Sequence, residues 1–409
     1  MSTLDIKAYS AILRVRSARR FDVGSLLMRL FTYTTTIGTI TMFTLAGASA
    51  LEATSVSSLL AICTFIVAPR VSRRIDERGQ SAIVPAATAI SMVGFALMLV
   101  VTYFHLPFWL NYPAAALASF LPNAQALVRT RWTYLIATKK LGDNAPPLKT
   151  AYAFEGIIED VAFMVGPAAV IAISAMLFPI AGMLAGCLVY CLGAVLLVQS
   201  KDTEPEPGWG AAEQPSSKRK SVFRENAVVR LLFGIMVFVG CMYGAFDASA
   251  VSYAQSIDFA VLASIVFALE SAFSLVISTL FGMMGFASPL RRQFVVFAAL
   301  FGGLYGLVMF VGSPISLIAI TTIAGLSYPP LLITANVVCE RAAPSERLTE
   351  AMAWMNSGIS IGMVIGPVSA GSVIDSIGPL AGFDLCGAYA IAIAVIALAS
   401  IPLLRKHLR

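Results

Sequence analysis

Four acidic residues interrupt stretches of sequence that are otherwise apolar: Glu155, Glu159, Asp160 and Glu270. A carboxylate in apolar surroundings must pair with a cation or take up a proton, because burial disfavours its charged form. Glu155 and Glu159 stand four residues apart on one helix face, where like charges repel unless one is neutral or a cation intervenes. These four residues are therefore predicted to bind and release a proton.

Two arginines are the predicted charge partners of the acids near residue 155. Arg29 lies inside an apolar run at a similar depth, and Arg129 follows the end of another run. The alternative is a network of salt bridges that only braces this part of the fold. Glu270 stands alone in its run, and it is therefore predicted to be a coupling group or a substrate-binding group.

The bulk composition places these charges in a membrane. Hydrophobic residues make up 58% of the 409 residues and charged residues only 12%, which is too apolar for a soluble core with a wettable surface. A helix needs about 20 apolar residues to cross the hydrocarbon, and the chain offers twelve such runs. The predicted fold is an all-α integral membrane protein with twelve transmembrane helices in two six-helix bundles. The predicted spans are residues 24–45, 52–69, 82–103, 107–128, 152–175, 177–198, 228–250, 259–282, 293–312, 315–338, 351–373 and 383–404.

The basic residues predict which side of the membrane each loop occupies. They concentrate in the N-terminal arm, after the even-numbered spans and in the C-terminal tail, whereas the loops after odd-numbered spans contain none. Because positively charged loops stay in the cytoplasm, we expect a multi-pass protein of the cell membrane with both termini cytoplasmic. The net charge of +6 then reflects topology and attraction to membrane lipids, not nucleic-acid binding. The predicted segments are an N-terminal arm (1–20), a first bundle (21–198), a flexible cytoplasmic linker (199–226), a second bundle (227–404) and a tail (405–409).

One stretch of the chain occurs twice. Residues 148–170 and 348–370 align at a constant offset of 200, and both contain a Gly-Pro pair late in a span, at Gly166 and Pro167 and again at Gly366 and Pro367. Proline removes a backbone hydrogen bond and glycine permits close helix approach, so a bend packed against a neighbouring helix is predicted at both places. The repeat indicates a chain built from two similar halves.

The loop after the second span carries a partial motif. Residues 72–80 read SRRIDERGQ and keep Asp76 and Gly79. They resemble the loop between the second and third helices of the major facilitator superfamily, which typically reads Gly, three residues, Asp, a basic residue, any residue, Gly and a basic residue. The resemblance implies that Asp76 and Gly79 form a conformational latch, with the carboxylate docked on the positive end of the eleventh helix. The alternative is a turn with an ordinary solvated aspartate.

The resemblance extends over essentially the whole chain. Twelve spans, a long linker after the sixth and two halves of about 200 residues are the architecture of that superfamily. Its drug/proton antiporters show Gly, three residues, Gly-Pro, two residues and Gly-Gly in the fifth helix. The fifth span keeps only Gly166 and Pro167 of that signature, whereas the eleventh has Gly362, Gly366 and Pro367. The chain is closest in character to this bacterial antiporter-like branch.

The resemblance implies a secondary active transporter that works by alternating access around a central site lined by spans 1, 4, 7 and 10. We expect proton-coupled export of small amphipathic or drug-like compounds. The alternatives are a transporter of a sugar or other polar metabolite and, in another class, a non-transporting membrane sensor or a lipid flippase. The candidate residues of the substrate cavity are Thr32, Tyr33, Thr36, Tyr243, Asn336 and Asn356.

Enzymatic chemistry is not expected. The chain has two histidines, one in a predicted outer loop and one in the tail, and no glycine-rich phosphate loop. The predicted protein is a monomer that uses no metal and no cofactor, and its partners are a small-molecule substrate, protons and membrane lipids.

Overall fold

A computed structural model describes residues 16–141, 148–209, 222–283, 288–343 and 348–407. Within these ranges the long regular elements are helices, and they follow the predicted spans closely. The long helices are α1 (Arg16–Thr32), α2 (Thr35–Leu45), α3 (Ala50–Arg78), α4 (Gln80–Tyr103), α5 (Asn111–Ala118), α6 (Ala124–Ala137), α7 (Leu148–Met176), α8 (Ala181–Gln199), α9 (Ala227–Ser256), α10 (Val261–Met283), α11 (Leu290–Gly306), α12 (Pro314–Gly325), α13 (Tyr328–Ala342), α14 (Leu348–Ile377) and α15 (Pro379–Ala399).

The predicted all-α membrane fold is confirmed. Ten helical segments of the described chain are long and apolar enough to cross a membrane. The first and fourth predicted spans complete the set of twelve. The first span is interrupted between α1 and α2, and the fourth is interrupted between α5 and α6. Pro122 lies in the second interruption and has no N–H to continue a helix, and the Asn123 side chain accepts the Ala126 N–H at 3.0 Å to start α6.

Contacts divide the chain into two compact units. The first contains the described residues of 1–42 and 59–216, and the second contains those of 43–58 and 217–409. The end of α2 and the first turns of α3 therefore pack with the second unit, although the sequence places them in the first bundle. This grouping follows the proximity of backbone segments in the folded chain, which the position of a residue along the sequence does not reveal.

The start of α3 shows how that segment is held within the second unit. The Asp375 carboxylate, near the end of α14, accepts the N–H groups of Ala50 at 2.9 Å and Leu51 at 2.8 Å. The first N–H groups of a helix have no partner inside the helix, and its amino end is positively polarised, so a carboxylate is a favourable cap. Further along α3, the Ser58 hydroxyl donates to the Val364 carbonyl at 2.8 Å. Residues 43–58 are thus fixed by hydrogen bonds to α14.

Glycines of α14 allow close contact with α9 in the second unit. A side-chain carbon at Gly358, Gly362 or Gly366 would collide with a backbone carbonyl of α9. Small residues at helix contacts matter in a membrane, because helix association there depends on close packing. The second copy of the Gly-Pro pair lies at the end of this contact, where Pro367 packs against Gly244.

We expect Gly362→Ala to destabilise the second unit by about 1–3 kcal/mol, because the added methyl group meets the carbonyl of Val237 and the N–H of Cys241. Gly303→Ala is the matched control, since nothing lies within 4 Å of its side-chain position and alanine favours helix more than glycine does. Thermal unfolding of the purified protein in detergent measures both. Equal unfolding temperatures for the two variants would show that this contact tolerates a methyl group.

The first part of the linker is docked on the first unit. The Arg131 guanidinium donates to the Ser200 carbonyl at 2.7 Å and to the Thr203 hydroxyl at 2.7 Å. Glu204 accepts the Ser81 N–H at 2.7 Å in the first turn of α4, and Trp209 packs edge-on against Tyr134. Polar groups of α4 and α6 thus hold residues 200–209 on the first unit, which composition does not show, and the flexible tether stays a prediction for the linker.

We expect Glu204→Ala to loosen this docked segment by about 1 kcal/mol, because the first turn of α4 loses its acidic cap. Trypsin should then cut faster after Lys201, which mass spectrometry of timed digests would measure. Glu340→Ala is the control, because it removes an exposed acid outside the segment and leaves the cleavage site unchanged. If both variants are cut at the wild-type rate, the cap does not hold the segment.

Candidate functional site

The first group of charges lies where α1, α6 and α7 meet in the first unit. Arg29 is 2% exposed and Glu155 is fully buried, and the two form an ion pair. The same guanidinium also donates to the Glu155 main-chain carbonyl at 3.0 Å. The sequence predicted Arg29 as a partner of these acids, and the structure brings it to Glu155.

Glu159 has a different set of partners. It accepts a hydrogen bond from the Tyr33 hydroxyl at 2.8 Å, contacts the Gln125 amide, and lies 3.6 Å from the Arg129 guanidinium. Tyr33 stands at the interruption between α1 and α2. The two glutamates thus use separate cations, which removes the repulsion expected for neighbours on one face. The Asp160 side chain lies outside the residues that the structure describes.

Asp22 belongs to the same group, although the sequence analysis did not select it. It is 5% exposed on α1, it accepts a hydrogen bond from the Trp132 indole at 3.2 Å, and it is a hydrogen-bonding neighbour of Glu155. Asp22 and Arg29 are seven residues apart, which places them on one helix face. That spacing could have identified Asp22, but the predicted span began at residue 24 and left it in the adjoining polar segment. We call Asp22, Arg29 and Glu155 the Asp22 cluster.

The second group of polar residues surrounds Glu270 in the second unit. Glu270 is 7% exposed on α10 and accepts a hydrogen bond from the Tyr305 hydroxyl on α11. The Tyr305 hydroxyl lies 3.1 Å from that of Tyr243 on α9, and the Tyr243 ring packs edge-on against Tyr328 at 5.2 Å. We call these four residues the Glu270 cluster.

No ion pair of Glu270 is found among the described residues. Its oxygen is instead held by a tyrosine hydroxyl, which can donate to a carboxylate or to a protonated carboxyl group. Gly325, just before the break between α12 and α13, packs directly on Glu270, so the side chain is enclosed by small and aromatic groups. Such a carboxyl can exist in either protonation state without losing a fixed cation. Tyr305 and Tyr328 were missed because tyrosines in apolar runs give no sign of facing an acid 35 or more residues away.

The predicted cavity residues are distributed over both units. The side chains of Thr32, Tyr33 and Thr36 are half-buried. The Thr32 hydroxyl donates to the Met28 carbonyl at 2.9 Å. Thr35 and Thr39 also bond to carbonyls of their own segment, so the threonines of the first span mostly satisfy local backbone. In the second unit, Tyr243 lies in the Glu270 cluster. Asn336 is half-buried on α13, and Asn356 is exposed on α14.

The predicted latch residues lie at the junction of α3 and α4. Asp76 is exposed, and its carbonyl accepts the Gly208 N–H at 2.7 Å. Gly79 separates the two helices with φ of 92°, a conformation that favours glycine. Helix α3 therefore extends through Arg78, beyond the predicted end of the second span. The motif forms the end of this helix and the one glycine that follows it. Docking of Asp76 on the eleventh span stays a prediction.

The Gly-Pro pairs lie inside continuous helices. In α7, a side-chain carbon at Gly166 would collide with the Leu30 carbonyl of α1, close to the α1/α2 interruption. In α14, Gly366 meets the Cys241 backbone in the same way. Both prolines stand within their helices. Each pair thus lies at a close helix contact, and the bends stay a prediction.

Comparison with known proteins supports the fold. A family model described as Major Facilitator Superfamily matches residues 262–408, and no curated protein matches the chain. The solved structure of the nucleoside transporter NupG is similar over 94% of this chain and 99% of its own, with a TM-score of 0.69 and 15% identity. A POT family transporter in complex with 5-aminolevulinic acid is similar over 94% and 96%, with a TM-score of 0.68 and 16% identity.

A third structure agrees with these two. An auto inhibited POT family peptide transporter is similar over 96% of this chain and 97% of its own, with a TM-score of 0.67 and 11% identity. These likenesses show the fold, which is the multi-pass helical fold of these transporters, and the family match adds that residues 262–408 are similar to the Major Facilitator Superfamily. The drug/proton antiporter branch that the sequence suggested is not confirmed by these comparisons.

Proposed function

We propose that the protein is a proton-coupled secondary transporter that exports small amphipathic or drug-like compounds by alternating access. The observation that carries the proposal is the buried Glu270, held by Tyr305 without an ion pair among the described residues. A carboxyl group in that setting can take up a proton without disrupting a salt bridge. In a transporter of this fold, opening to each side in turn would let it load and release the proton.

The surroundings of Glu270 support an amphipathic substrate. The Tyr305 hydroxyl holds the Glu270 carboxyl group, the Tyr243 and Phe301 rings pack against Tyr305, and the Tyr328 ring packs against Tyr243. Aromatic faces bind planar apolar groups and attract cations, and an ionised carboxylate strengthens the attraction. A planar organic cation that competes with the proton for Glu270 fits this arrangement, and such competition is the simplest form of antiport.

A second candidate is transport of a polar metabolite. The observation that favours it is the polar group formed by Glu159, Tyr33, Gln125 and Arg129 in the first unit, which offers donors and acceptors at the α1/α2 interruption. Two of the structures of similar fold are described as a nucleoside transporter and a POT family peptide transporter. For either candidate we propose a monomer in the cell membrane, and the basic loops favour cytoplasmic termini.

The test is transport by the purified protein in proteoliposomes. An imposed pH gradient should drive ethidium, a planar organic cation, against its concentration gradient, and a protonophore should abolish the movement. Radiolabelled uridine and a labelled dipeptide test the polar alternative in the same vesicles. Uptake of uridine or dipeptide without movement of ethidium would replace the first proposal by the second. Equal flux of all compounds with and without protein would reject transport.

A further inference from the structure

The Asp22 cluster contains two carboxyl groups and one guanidinium in a buried place. Asp22 is 5% exposed, Arg29 2% and Glu155 0%. If all three were ionised, the cluster would carry a net negative charge. Burial of an uncompensated charge is costly, so one proton bound to the cluster would remove a large penalty.

The hydrogen bonds of Glu155 show where that proton would lie. One carboxylate oxygen of Glu155 binds Arg29, whereas the other, Oε1, is buried and has no donor among the described residues. The Asp22 carboxyl group is a hydrogen-bonding neighbour of Glu155. Ionised carboxylates only accept hydrogen bonds, so two of them can bond to each other only when a proton stands between them. A shared proton would also satisfy the orphaned oxygen.

We propose that Asp22 and Glu155 share one proton and together form a proton-binding site of the first unit. This inference deepens the proposed function and rests on it. The charged groups around the pair are Arg29 on α1 and Arg129 on α6, and Arg129 is engaged by Glu159. Arg131 on α6 lies over the Phe21 ring and binds the start of the linker. Among the described residues, Arg29 is the cation that forms an ion pair with Glu155, and one guanidinium compensates one of the two acids.

Release and uptake of the shared proton would change how α1 and α7 pack together. When the pair releases its proton to water, two carboxylates face each other and compete for Arg29. Repulsion between them then favours separation of α1 from α7 at the level of Asp22 and Glu155. Uptake of one proton restores the hydrogen bond between the carboxyl groups. The pair thus links protonation to the packing of the two helices, with Trp132 holding Asp22 from α6.

Infrared spectroscopy of the purified protein tests the site without measuring transport. A protonated carboxyl group has a carbonyl-stretch band that shifts in heavy water and that an ionised carboxylate lacks. Asp22→Asn and Glu155→Gln each supply an amide donor in place of the shared proton, so both variants should keep the fold. Each substitution is expected to remove the intensity of one protonated carboxyl group, and the double variant should remove no more than either single change.

The matched control is Glu159→Gln, which changes the neighbouring acid of α7 and should leave that band intact. Unchanged intensity in both Asp22→Asn and Glu155→Gln, or losses that add in the double variant, would overturn the shared proton. These outcomes are separate from the transport assay. Wild-type protein without proton-driven flux but with the expected band losses would reject the proposed function and leave the shared proton in place.

Discussion

Glu270→Gln is expected to abolish transport driven by a pH gradient, reducing it to the level of protein-free vesicles, while exchange of substrate in the absence of a gradient continues. Glutamine keeps the size of the side chain and can still accept the hydrogen bond from Tyr305. It cannot take up and release a proton. If Glu270 carries the coupled proton, the variant can still change conformation with substrate bound, but a proton gradient no longer drives the cycle.

Two variants sharpen this test. Glu340→Gln removes an exposed acid at the end of α13 in the same unit, and it should leave both activities unchanged. Tyr305→Phe keeps the ring but removes the hydroxyl that holds Glu270, so it should weaken gradient-driven flux while retaining exchange. Full gradient-driven flux in Glu270→Gln would remove this residue from the coupling mechanism. Loss of both activities together with loss of folded protein would indicate a structural role.

Arg29→Met is expected to destabilise the first unit by about 3–5 kcal/mol, the largest stability effect that we predict. The substitution removes the only cation that pairs with Glu155 among the described residues and leaves that carboxyl group buried. Methionine preserves much of the length of the arginine stem, so lost packing contributes little. Thermal unfolding in detergent and the yield of monodisperse protein measure the effect.

The controls separate a buried charge from a general effect of losing an arginine. Arg73→Met breaks the exposed pair with Glu77, which should contribute no more than about 1 kcal/mol. Adding Glu155→Gln to Arg29→Met should recover most of the lost stability, because no glutamate then remains without its cation. Equal losses in Arg29→Met and Arg73→Met, or no recovery in the double variant, would contradict the assignment of Arg29 as a buried charge partner.

The sequence was sufficient for the fold because membrane crossing depends on length and hydrophobicity, which are properties of contiguous residues. It could not locate the interruptions at residues 33–34 and 119–123, since threonine, tyrosine and a single proline also occur within continuous membrane helices. It also ended the second span at residue 69, whereas α3 continues to Arg78. Polar residues can continue a helix beyond the hydrocarbon, so an apolar run marks only the membrane-embedded part.

The candidate sites were predicted in part. Charged residues within apolar runs can be recognised from the sequence alone. Glu155, Glu159, Glu270 and Arg29 were therefore selected before any contact was known. Tyr243 was selected only as a cavity residue, and Tyr305 and Tyr328 could not be selected, because they lie on other helices and join Glu270 only after packing. Asp22 was missed for a related reason, since its environment is set by Trp132 and Glu155, both more than 100 residues away in sequence.

The docked start of the linker ends the first unit in a segment whose backbone is partly shielded from water. The Gly208 N–H donates to the Asp76 carbonyl at 2.7 Å, and the Arg131 guanidinium binds the Ser200 carbonyl. A backbone N–H held in this way meets water only when the segment opens locally. Hydrogen exchange at Gly208 therefore reports the free energy of that local opening, separately from the unfolding of the whole unit.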